Sequence, residues 1–251
     1  SVLNINLREG NMNEYHGAGS LGLIAPKLLL EGPIVKGKTS FIVSGRRSIY
    51  DVLIRPFYGE KEQLYYYFGD LNTKVKHIFG PSDELVLSYF HSTDKFSYNY
   101  DEFGIKETSG IDWKNHTTAL TWKHNFNSKI SHVLTGSFNN YKFNTASEYI
   151  DDYRVYSLNY FSLIEDISLK SDFTYQLAKL HSLKFGVGYT NHTFKPGAIQ
   201  VEDEYNQIRI EQQQDLSQSI FSNDFSAYAE DTWNINTRFN LNGGLHFGLY
   251  Q

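Results

Sequence analysis

This 251-residue sequence contains no cysteine, so neither a disulfide framework nor a thiolate metal site can form. It also has no apolar run approaching the roughly 18 residues that a transmembrane helix needs. The formal net charge is −5 and basic residues are spread along the chain, which argues against a nucleic-acid partner. The sequence starts at Ser1 and contains neither an initiating methionine nor a signal peptide, so we expect a mature or truncated product.

Aromatic residues, in contrast, are abundant. The chain has 19 Tyr and 18 Phe, and aromatic residues make up 16% of it. The mean hydropathy is nevertheless only −0.45, which argues against a bundle of transmembrane helices. A transmembrane β-barrel has both properties, because alternate residues of each strand face lipid and water. Composition therefore favours an all-β membrane protein.

Five short polar turns divide the chain into hairpins. They lie at residues 35–38, 80–83, 125–128, 178–181 and 234–237. Between them run extended stretches rich in Tyr, Phe, Val, Ile and Leu, whose opposite ends are joined by longer polar segments. Short turns at one end and long loops at the other are typical of outer-membrane β-barrels. We expect the short turns to face the periplasm and the long segments to face outside.

Apolar and polar residues alternate along several of these stretches, most clearly at 71–79, 167–177, 183–189 and 239–249. A period of two places alternate residues on opposite faces of a sheet. Reading outward from the turns predicts ten strands, at 14–34, 39–53, 64–79, 84–99, 112–125, 130–146, 157–177, 181–195, 221–234 and 238–250. Within the first of them, Pro26 predicts a bulge or a bend.

Polar connections are predicted at 54–63, 100–111, 147–156 and 196–220. Acidic clusters within them, Asp151-Asp152 and Glu202-Asp203-Glu204, are interpreted as solvated loop tips, with a cation or sugar site as the alternative. The acidic stretch 200–215 is the longest loop candidate. It is either a mobile lid near a substrate entrance or a solvated loop without ligand contacts.

Motifs of catalysis and cofactor binding fail in their context. The segment 17–22 matches the dinucleotide-binding glycine pattern, but Pro26 and the β-type run that follows forbid the required helix. The nine histidines occur singly, and no Gly-x-Ser-x-Gly elbow is present. His124 and His132 are expected to be partners across a turn. We therefore predict no catalytic, cofactor-binding or metal-binding residues.

Several large aromatic residues lie near the ends of predicted strands, where aromatic girdles anchor a barrel at both membrane surfaces. The alternative is an ordinary aromatic core in a soluble β-sandwich. The residues concerned are Trp113, Trp122, Trp233, Tyr65, Tyr66, Tyr67 and Tyr156.

Three segments resemble TonB-dependent outer-membrane transporters. Residues 2–10 (VLNINLREG) are similar to the last strand of that family's plug domain. Residues 30–41 (LEGPIVKGKTSF) resemble the first barrel hairpin, and residues 42–51 (IVSGRRSIYD) resemble its version in Bacteroidota receptors. Residues 226–233 (SAYAEDTW), followed by 241–245 (LNGGL), resemble a mid-barrel strand pair.

The resemblance implies an all-β fold, an antiparallel transmembrane β-barrel with meander topology, of which this chain supplies about ten of 22 strands. Residues 1–12 would be the last strand of the plug domain, and residues 13–251 the N-terminal strands of an incomplete barrel. The implied location is the bacterial cell outer membrane. The implied partners are outer-membrane lipid, the TonB complex through the missing N-terminal plug region, and a small-molecule or oligomeric nutrient. A surface lipoprotein that lids the barrel is a partner of some Bacteroidota relatives.

The implied function is the import of a scarce nutrient, such as a siderophore, glycan or peptide, through the plugged barrel. Such a protein is not an enzyme and needs no cofactor. Two alternatives stay open. One is a self-contained ten-strand barrel enzyme, an omptin-like protease, and the other is a non-transporting surface or assembly scaffold.

Overall fold

The computed structural model describes residues 8–57, 59, 62–178, 180–205, 208–213, 218–236 and 238–251. Over these residues, twelve strands form one antiparallel sheet. They are β1 (His16–Ser20), β2 (Lys27–Val35), β3 (Thr39–Arg47), β4 (Glu62–Gly80), β5 (Asp83–Glu102), β6 (Ile105–Asn125), β7 (Ile130–Ile150), β8 (Arg154–Gln176), β9 (His181–Tyr205), β10 (Ile208–Gln213), β11 (Ile220–Asn234) and β12 (Asn240–Tyr250). Between β3 and β4 lie a short helix, α1 (Tyr50–Ile54), and a 3-10 helix (Arg55–Phe57). In these ranges, no helix has the length and apolarity to cross a bilayer.

The sheet is a meander, as predicted. Strands pair in chain order, except that β10 folds back on the last part of β9 and β11 pairs with the earlier part of β9. The five predicted short turns all fall between paired strands at the same end of the sheet, although Lys179 and Thr237 lie outside the described residues. We call this end the short-turn end and the opposite end the far end.

The predicted alternation produces two faces of opposite chemistry. One row of directly paired residues on the first face, from β4 to β12, reads Val75, Leu87, Leu120, Gly136, Leu169, Tyr189, Phe225 and Leu249. One position along, the row on the second face reads Lys74, Ser88, Ala119, Ser137, Ser168, Thr190, Asp224 and Tyr250. We call these the apolar face and the polar face. Leu169 is 54% exposed, and an exposed apolar surface this continuous requires lipid rather than water.

The central strands are longer than a membrane requires. Strands β4 to β9 contain 19 to 25 residues, whereas a tilted strand crosses the hydrocarbon in about 9–11. On the apolar face, the side chains become polar beyond the half that adjoins the short turns. The first polar row reads His91, His116, Asn140, Glu165 and Thr193. The half near the short turns therefore spans the membrane, and the far half projects into water.

The predicted loops at 100–111 and 147–156 are wrong, because both segments continue as paired strands to tight turns. Phe103 and Gly104 have φ of 55° and 79°, and two positive φ values match the twist of a two-residue hairpin turn. At the second turn, Asp151 Oδ1 accepts the N–H groups of Tyr153 and Arg154 at 2.8 and 2.7 Å. The hydrogen bond from Tyr153, followed by that from Arg154, lowers the pKa of Asp151.

The other two predicted loops are only partly irregular. Segment 54–63 holds the end of α1 and the 3-10 helix, and β4 already begins at Glu62. Segment 196–220 contains the end of β9 and the whole of β10, paired as a hairpin. The predicted loop at 200–215 is therefore wrong in its described part, whereas residues 206–207 and 214–217 lie outside it.

The first predicted strand, 14–34, is two strands in the structure. Strands β1 and β2 form a hairpin whose connection is residues 21–26. Pro26, where the sequence predicts a bend, closes this connection, and its ring removes a backbone donor from the ladder. The interruption is therefore confirmed, as a hairpin rather than as a bulge within one strand.

The predicted strand 39–53 ends early, at Arg47. The Ser48 N–H donates to the Phe68 carbonyl at 2.7 Å, and the Phe68 N–H donates to Ser48 Oγ at 2.8 Å. Because the serine side chain takes this bond, the strand stops there and α1 begins. Asp51 in α1 is buried and accepts from Arg47 Nη2 at 2.6 Å.

The aromatic residues do not all lie where a girdle requires them. Trp122 and Trp233 lie on the apolar face near the short-turn end, as the girdle prediction requires. Trp113, Tyr66 and Tyr156 lie on the polar face instead. Proximity to a strand end does not determine the face, which changes with every residue along a strand.

Single cysteines should distinguish the two faces in the full-length protein reconstituted in bilayers. We expect bimane on Leu169→Cys and Val187→Cys to be quenched strongly by brominated lipid, because these positions face hydrocarbon. Bimane on Ser168→Cys and Thr190→Cys, a direct pair on the polar face, should be quenched much less. Equal quenching at all four positions would contradict a membrane-spanning sheet.

Candidate functional site: the polar face of the sheet

A chain of hydrogen bonds crosses five strands on the polar face. Thr117 Oγ1 donates to Asn139 Oδ1 at 2.7 Å, and Asn139 Nδ2 donates to Asp166 Oδ2 at 3.4 Å. His192 lies between two carboxylates, with Nδ1 2.6 Å from Asp166 Oδ1 and Nε2 3.2 Å from Asp224 Oδ2. The first four residues are direct partners on β6, β7, β8 and β9, so the antiparallel register alone brings them into line.

The histidine in this chain has an acceptor at each ring nitrogen. A neutral imidazole has one donor nitrogen and one acceptor nitrogen, so it can donate to only one of the two carboxylates. An imidazolium donates to both. In its protonated form, His192 therefore links Asp166 on β8 to Asp224 on β11 across β9.

Glycines on β9 make room for polar side chains of the neighbouring strands. The Tyr228 hydroxyl donates to Asp172 Oδ1 at 2.6 Å, directly over Gly186. A Cβ at Gly186 would lie 2.6 Å from that oxygen and 2.8 Å from the tyrosine ring. A Cβ at Gly188 would lie 2.7 Å from Ser226 Oγ. The polar pairs on this part of the wall therefore depend on glycine beneath them.

A ring of four alternating charges lies nearer the short-turn end. Lys76 Nζ is 2.7 Å from Glu9 Oε2 and 2.5 Å from Glu84 Oε2. Lys123 Nζ is 2.7 Å from Glu84 Oε1 and 3.9 Å from Glu9 Oε1. Each charge has two neighbours of opposite sign, so the ring is a network rather than an isolated surface pair. It fastens Glu9, which precedes the first strand, to strands β4, β5 and β6.

Residues 8–12 as a whole lie against the sheet. Arg8 forms an ion pair with Glu31 of β2, whose side chain is buried. The Met12 carbonyl accepts the N–H of Gly37 at 3.0 Å, in the short turn between β2 and β3. The chain therefore runs down the polar face and reaches the short-turn end before it enters β1.

A cavity of about 330 Å³ opens between this segment and strands β2, β3 and β4. Four basic side chains line it: Arg8, Lys27, Arg46 and Lys74. Asp70 is the acidic residue among its lining, and it forms an ion pair with Arg46. Positive charge therefore predominates in the cavity, and anionic groups are favoured there over cationic ones.

One residue of each acidic cluster at the far end is engaged in structural contacts. Arg154 donates from Nε to Asp203 Oδ1 at 2.9 Å and from Nη2 to Asp203 Oδ2 at 2.8 Å, and these hydrogen bonds lower the pKa of Asp203. Asp151 is held by its own turn. Within the described part of the chain, no group of three or more His, Asp or Glu side chains could hold a metal ion. The absence of catalytic and cofactor-binding residues stays a prediction.

The alternation correctly predicts a polar face, but the contacts on that face were not predicted. Which residues meet across β5 and β6 depends on the tight turn at Phe103-Gly104, which reads as part of a loop in the sequence. The prediction that His124 and His132 are partners is confirmed, because a short predicted turn sets their register.

The His192 link should contribute to stability through its shorter contact. In the full-length protein, Asp166→Asn should lower the free energy of unfolding by about 1–3 kcal/mol, because a charged hydrogen bond is lost. Asp224→Asn, the matched control at 3.2 Å, should lower it less. Urea unfolding in lipid-detergent micelles measures both. A larger loss for Asp224→Asn would contradict the stronger role of the shorter contact at Asp166.

Known proteins resemble this chain in sequence family and in fold. The family model "TonB dependent receptor-like, beta-barrel" matches residues 55–250. The ferric yersiniabactin uptake receptor FyuA from Yersinia pestis is similar in structure over 83% of this chain and 37% of its own, with 12% identity and a TM-score of 0.51. The outer membrane protease OmpT from Escherichia coli aligns over 90% of this chain and 83% of its own, with 12% identity. Its TM-score of 0.29 is too low to carry an argument. No curated protein matches the sequence.

At 12% identity the likeness to FyuA concerns the fold alone, and this chain spans 37% of the length of FyuA. The family match is broader, since residues 55–250 include most of the chain and strands β4 to β12. The exposed apolar face and the family agree on the location, the outer membrane of a bacterium. The chain belongs to the TonB-dependent receptor-like β-barrel family.

Proposed function

We propose that the full-length protein is a TonB-dependent outer-membrane transporter that imports a scarce nutrient through a plugged β-barrel. The observation that carries this proposal is the family match over residues 55–250. The substrate class is a nutrient too large for porins, such as a siderophore, a glycan or a peptide. Import is driven from the inner membrane through TonB, so the barrel itself catalyses no reaction.

We further propose that residues 13–251 are the N-terminal part of a larger barrel of 22 strands. In the described residues, β1 and β12 pair with one neighbour each and leave two open edges. In a bilayer each unpaired backbone group costs several kcal/mol, so an open sheet of this size is not stable there. The alignment with only 37% of FyuA supports a barrel with more strands.

The proposed plug strand at residues 1–12 is supported by the contacts of its second half. Arg8 and Glu9 bind the polar face through Glu31, Lys76 and Lys123, on the side that faces the interior of a barrel. Residues 1–7 lie outside the described residues. A chain that enters the barrel from this interior position fits a plug domain that precedes the first strand.

Assignment to the Bacteroidota type rests on residues 42–51, which form the end of β3 and the start of α1.

In the proposed orientation, the far half of the sheet extends outside the membrane and forms a wall around the entrance. Such a wall offers an edge on which a surface lipoprotein could close. We therefore include a surface lipoprotein lid as a proposed partner of the transporter.

The two alternatives receive less support. A barrel protease needs free acidic groups at the rim, but Asp151 is engaged by turn N–H groups and Asp203 by Arg154. A scaffold would not need polar networks along its interior, yet hydrogen bonds and ion pairs run along the polar face from Thr117 to Asp224.

Uptake should depend on TonB and on the proton gradient. Bacteria that express the full-length protein should grow on one of a panel of siderophores, glycans or peptides as sole source. Growth should be lost on deletion of TonB or of the receptor. Simple adsorption of the nutrient to cells should survive deletion of TonB. Growth that persists without TonB would favour an enzyme or a scaffold.

The orientation in the membrane is testable with two epitope insertions at tight turns. A tag inserted after Asp152, at the far end, should be detected by antibody on intact cells. A tag inserted after Gly37, where φ is +71° and no side chain packs, should be detected only after permeabilisation. The opposite pattern would show that the short turns face outside.

A further inference from the structure

Four lysines lie on the apolar face, just beyond the height at which its side chains change from apolar to polar. They are Lys95 on β5, Lys114 on β6, Lys142 on β7 and Lys195 on β9. Each is about a dozen residues from the short-turn end of its strand. At about 3.4 Å per residue and a tilt of about 40°, this places them roughly 30 Å from the short turns. We call these four residues the lysine band.

The height of the lysine band coincides with one membrane surface. The apolar belt of an outer-membrane barrel is about 25 Å tall. In this chain the belt ends with Phe138 on β7 and Ile167 on β8, which are direct partners. Lys142 follows four residues beyond Phe138 on the same face, and its partner Leu163 is paired in turn with Lys195. The band therefore lies at the level of lipid head groups, directly above the part that acyl chains cover.

Two members of the band are directly paired although they carry the same charge. Lys114 and Lys142 are cross-strand partners on β6 and β7, and like charges in this position destabilise a sheet. Lys76 and Lys123, in contrast, lie on the polar face and each contacts a carboxylate. No ion pair joins Lys114 or Lys142 to a carboxylate in the described ranges.

Nearby carboxylates on the same face are held by amides. Asp112 accepts from Asn144 Nδ2 at 3.2 Å, and Glu165 accepts from Asn140 Nδ2 at 2.7 Å. Lys95 is directed toward an aromatic ring, with Nζ 6.0 Å from the centroid of Tyr65. Asp112 is also the direct partner of Lys95 across β5 and β6, so the carboxylates of this face lie beside the band without forming an ion pair with its central pair. The exposed ammonium groups of Lys114 and Lys142 are therefore left without a carboxylate contact within the described part of the sheet.

We propose that the lysine band binds the phosphate groups of lipids in the outer leaflet. Ammonium groups bind phosphate strongly, and neighbouring lysines on β5, β6, β7 and β9 can hold one lipid with several phosphates or adjacent lipids. The apolar side chains below the band receive the acyl chains of the same lipid. The assignment to the outer leaflet rests on the orientation proposed above, but it does not depend on which nutrient the barrel carries.

The proposal is tested by titrating the full-length protein in detergent micelles with lipid A that carries both phosphates. Native mass spectrometry measures the bound fraction. The double variant K114Q/K142Q should bind about 30-fold more weakly, from roughly fivefold for each lysine removed near an anionic lipid. The matched control K38Q/K129Q removes the same charge at the short-turn end, and its binding should equal that of the unmodified protein.

Two further arms identify the source of the phosphate. Lipid A stripped of both phosphates should bind the unmodified protein as weakly as intact lipid A binds K114Q/K142Q. Inorganic phosphate at the same concentrations should not displace the bound lipid. Equal binding by both double variants, equal binding of the stripped lipid, or displacement by inorganic phosphate would each overturn the proposal.

Stability in lipid-free detergent separates a lipid site from a structural role. Because Lys114 and Lys142 repel each other, K114Q/K142Q should unfold at a temperature equal to or above that of the unmodified protein. A clear decrease would mean that the two lysines stabilise the sheet itself, and the proposal would be wrong.

Discussion

Every backbone N–H and C=O inside a bilayer must find a partner within the protein, and this constraint shapes the whole chain. A meander of antiparallel hairpins meets it by pairing each strand with its chain neighbours. Pairing in turn places alternate residues on opposite faces. The row from Val75 to Leu249 can therefore be apolar while the row from Lys74 to Tyr250, one residue away, is polar. Hydrophobic burial in a central core has little part in this fold, since the buried apolar side chains are few.

The polar face follows from the same constraint. Side chains that point away from lipid meet each other, water and the segment at residues 8–12, so they form networks rather than a packed core. Cross-strand register brings Asp166 beside His192, and a missing side chain at Gly186 admits the Asp172–Tyr228 pair. The charge ring that holds Glu9 uses the same faces of β4, β5 and β6. The polar face thus offers charged and hydrogen-bonding groups to the segment at residues 8–12.

The sequence predicts the membrane half of this structure better than the far half, for a physical reason. Within hydrocarbon, one face must be apolar, so alternation and turn residues reveal the strands and the five short turns. Beyond the membrane both faces meet water, alternation disappears, and strands such as 100–111 look like loops. Some polar-face contacts were not predictable for a related reason. The register between β5 and β6 is set at Phe103-Gly104, and that between β7 and β8 at the turn after Asp151, both in that far half. The face of Trp113 was missed because a single residue step reverses it.

The same face of the sheet is apolar at one height and basic at the next, and this change locates the membrane boundary more sharply than the aromatic residues do. A row of Leu, Ile and Phe ends at Phe138 and Ile167, polar side chains follow, and lysines appear within four residues. In water, the direct Lys114–Lys142 pair would only weaken the sheet. At the surface of an anionic leaflet the same pair gains a counter-charge from the lipid. The Lys114–Lys142 contact, which is unfavourable within the protein, therefore becomes favourable only beside lipid, the environment that the apolar face requires.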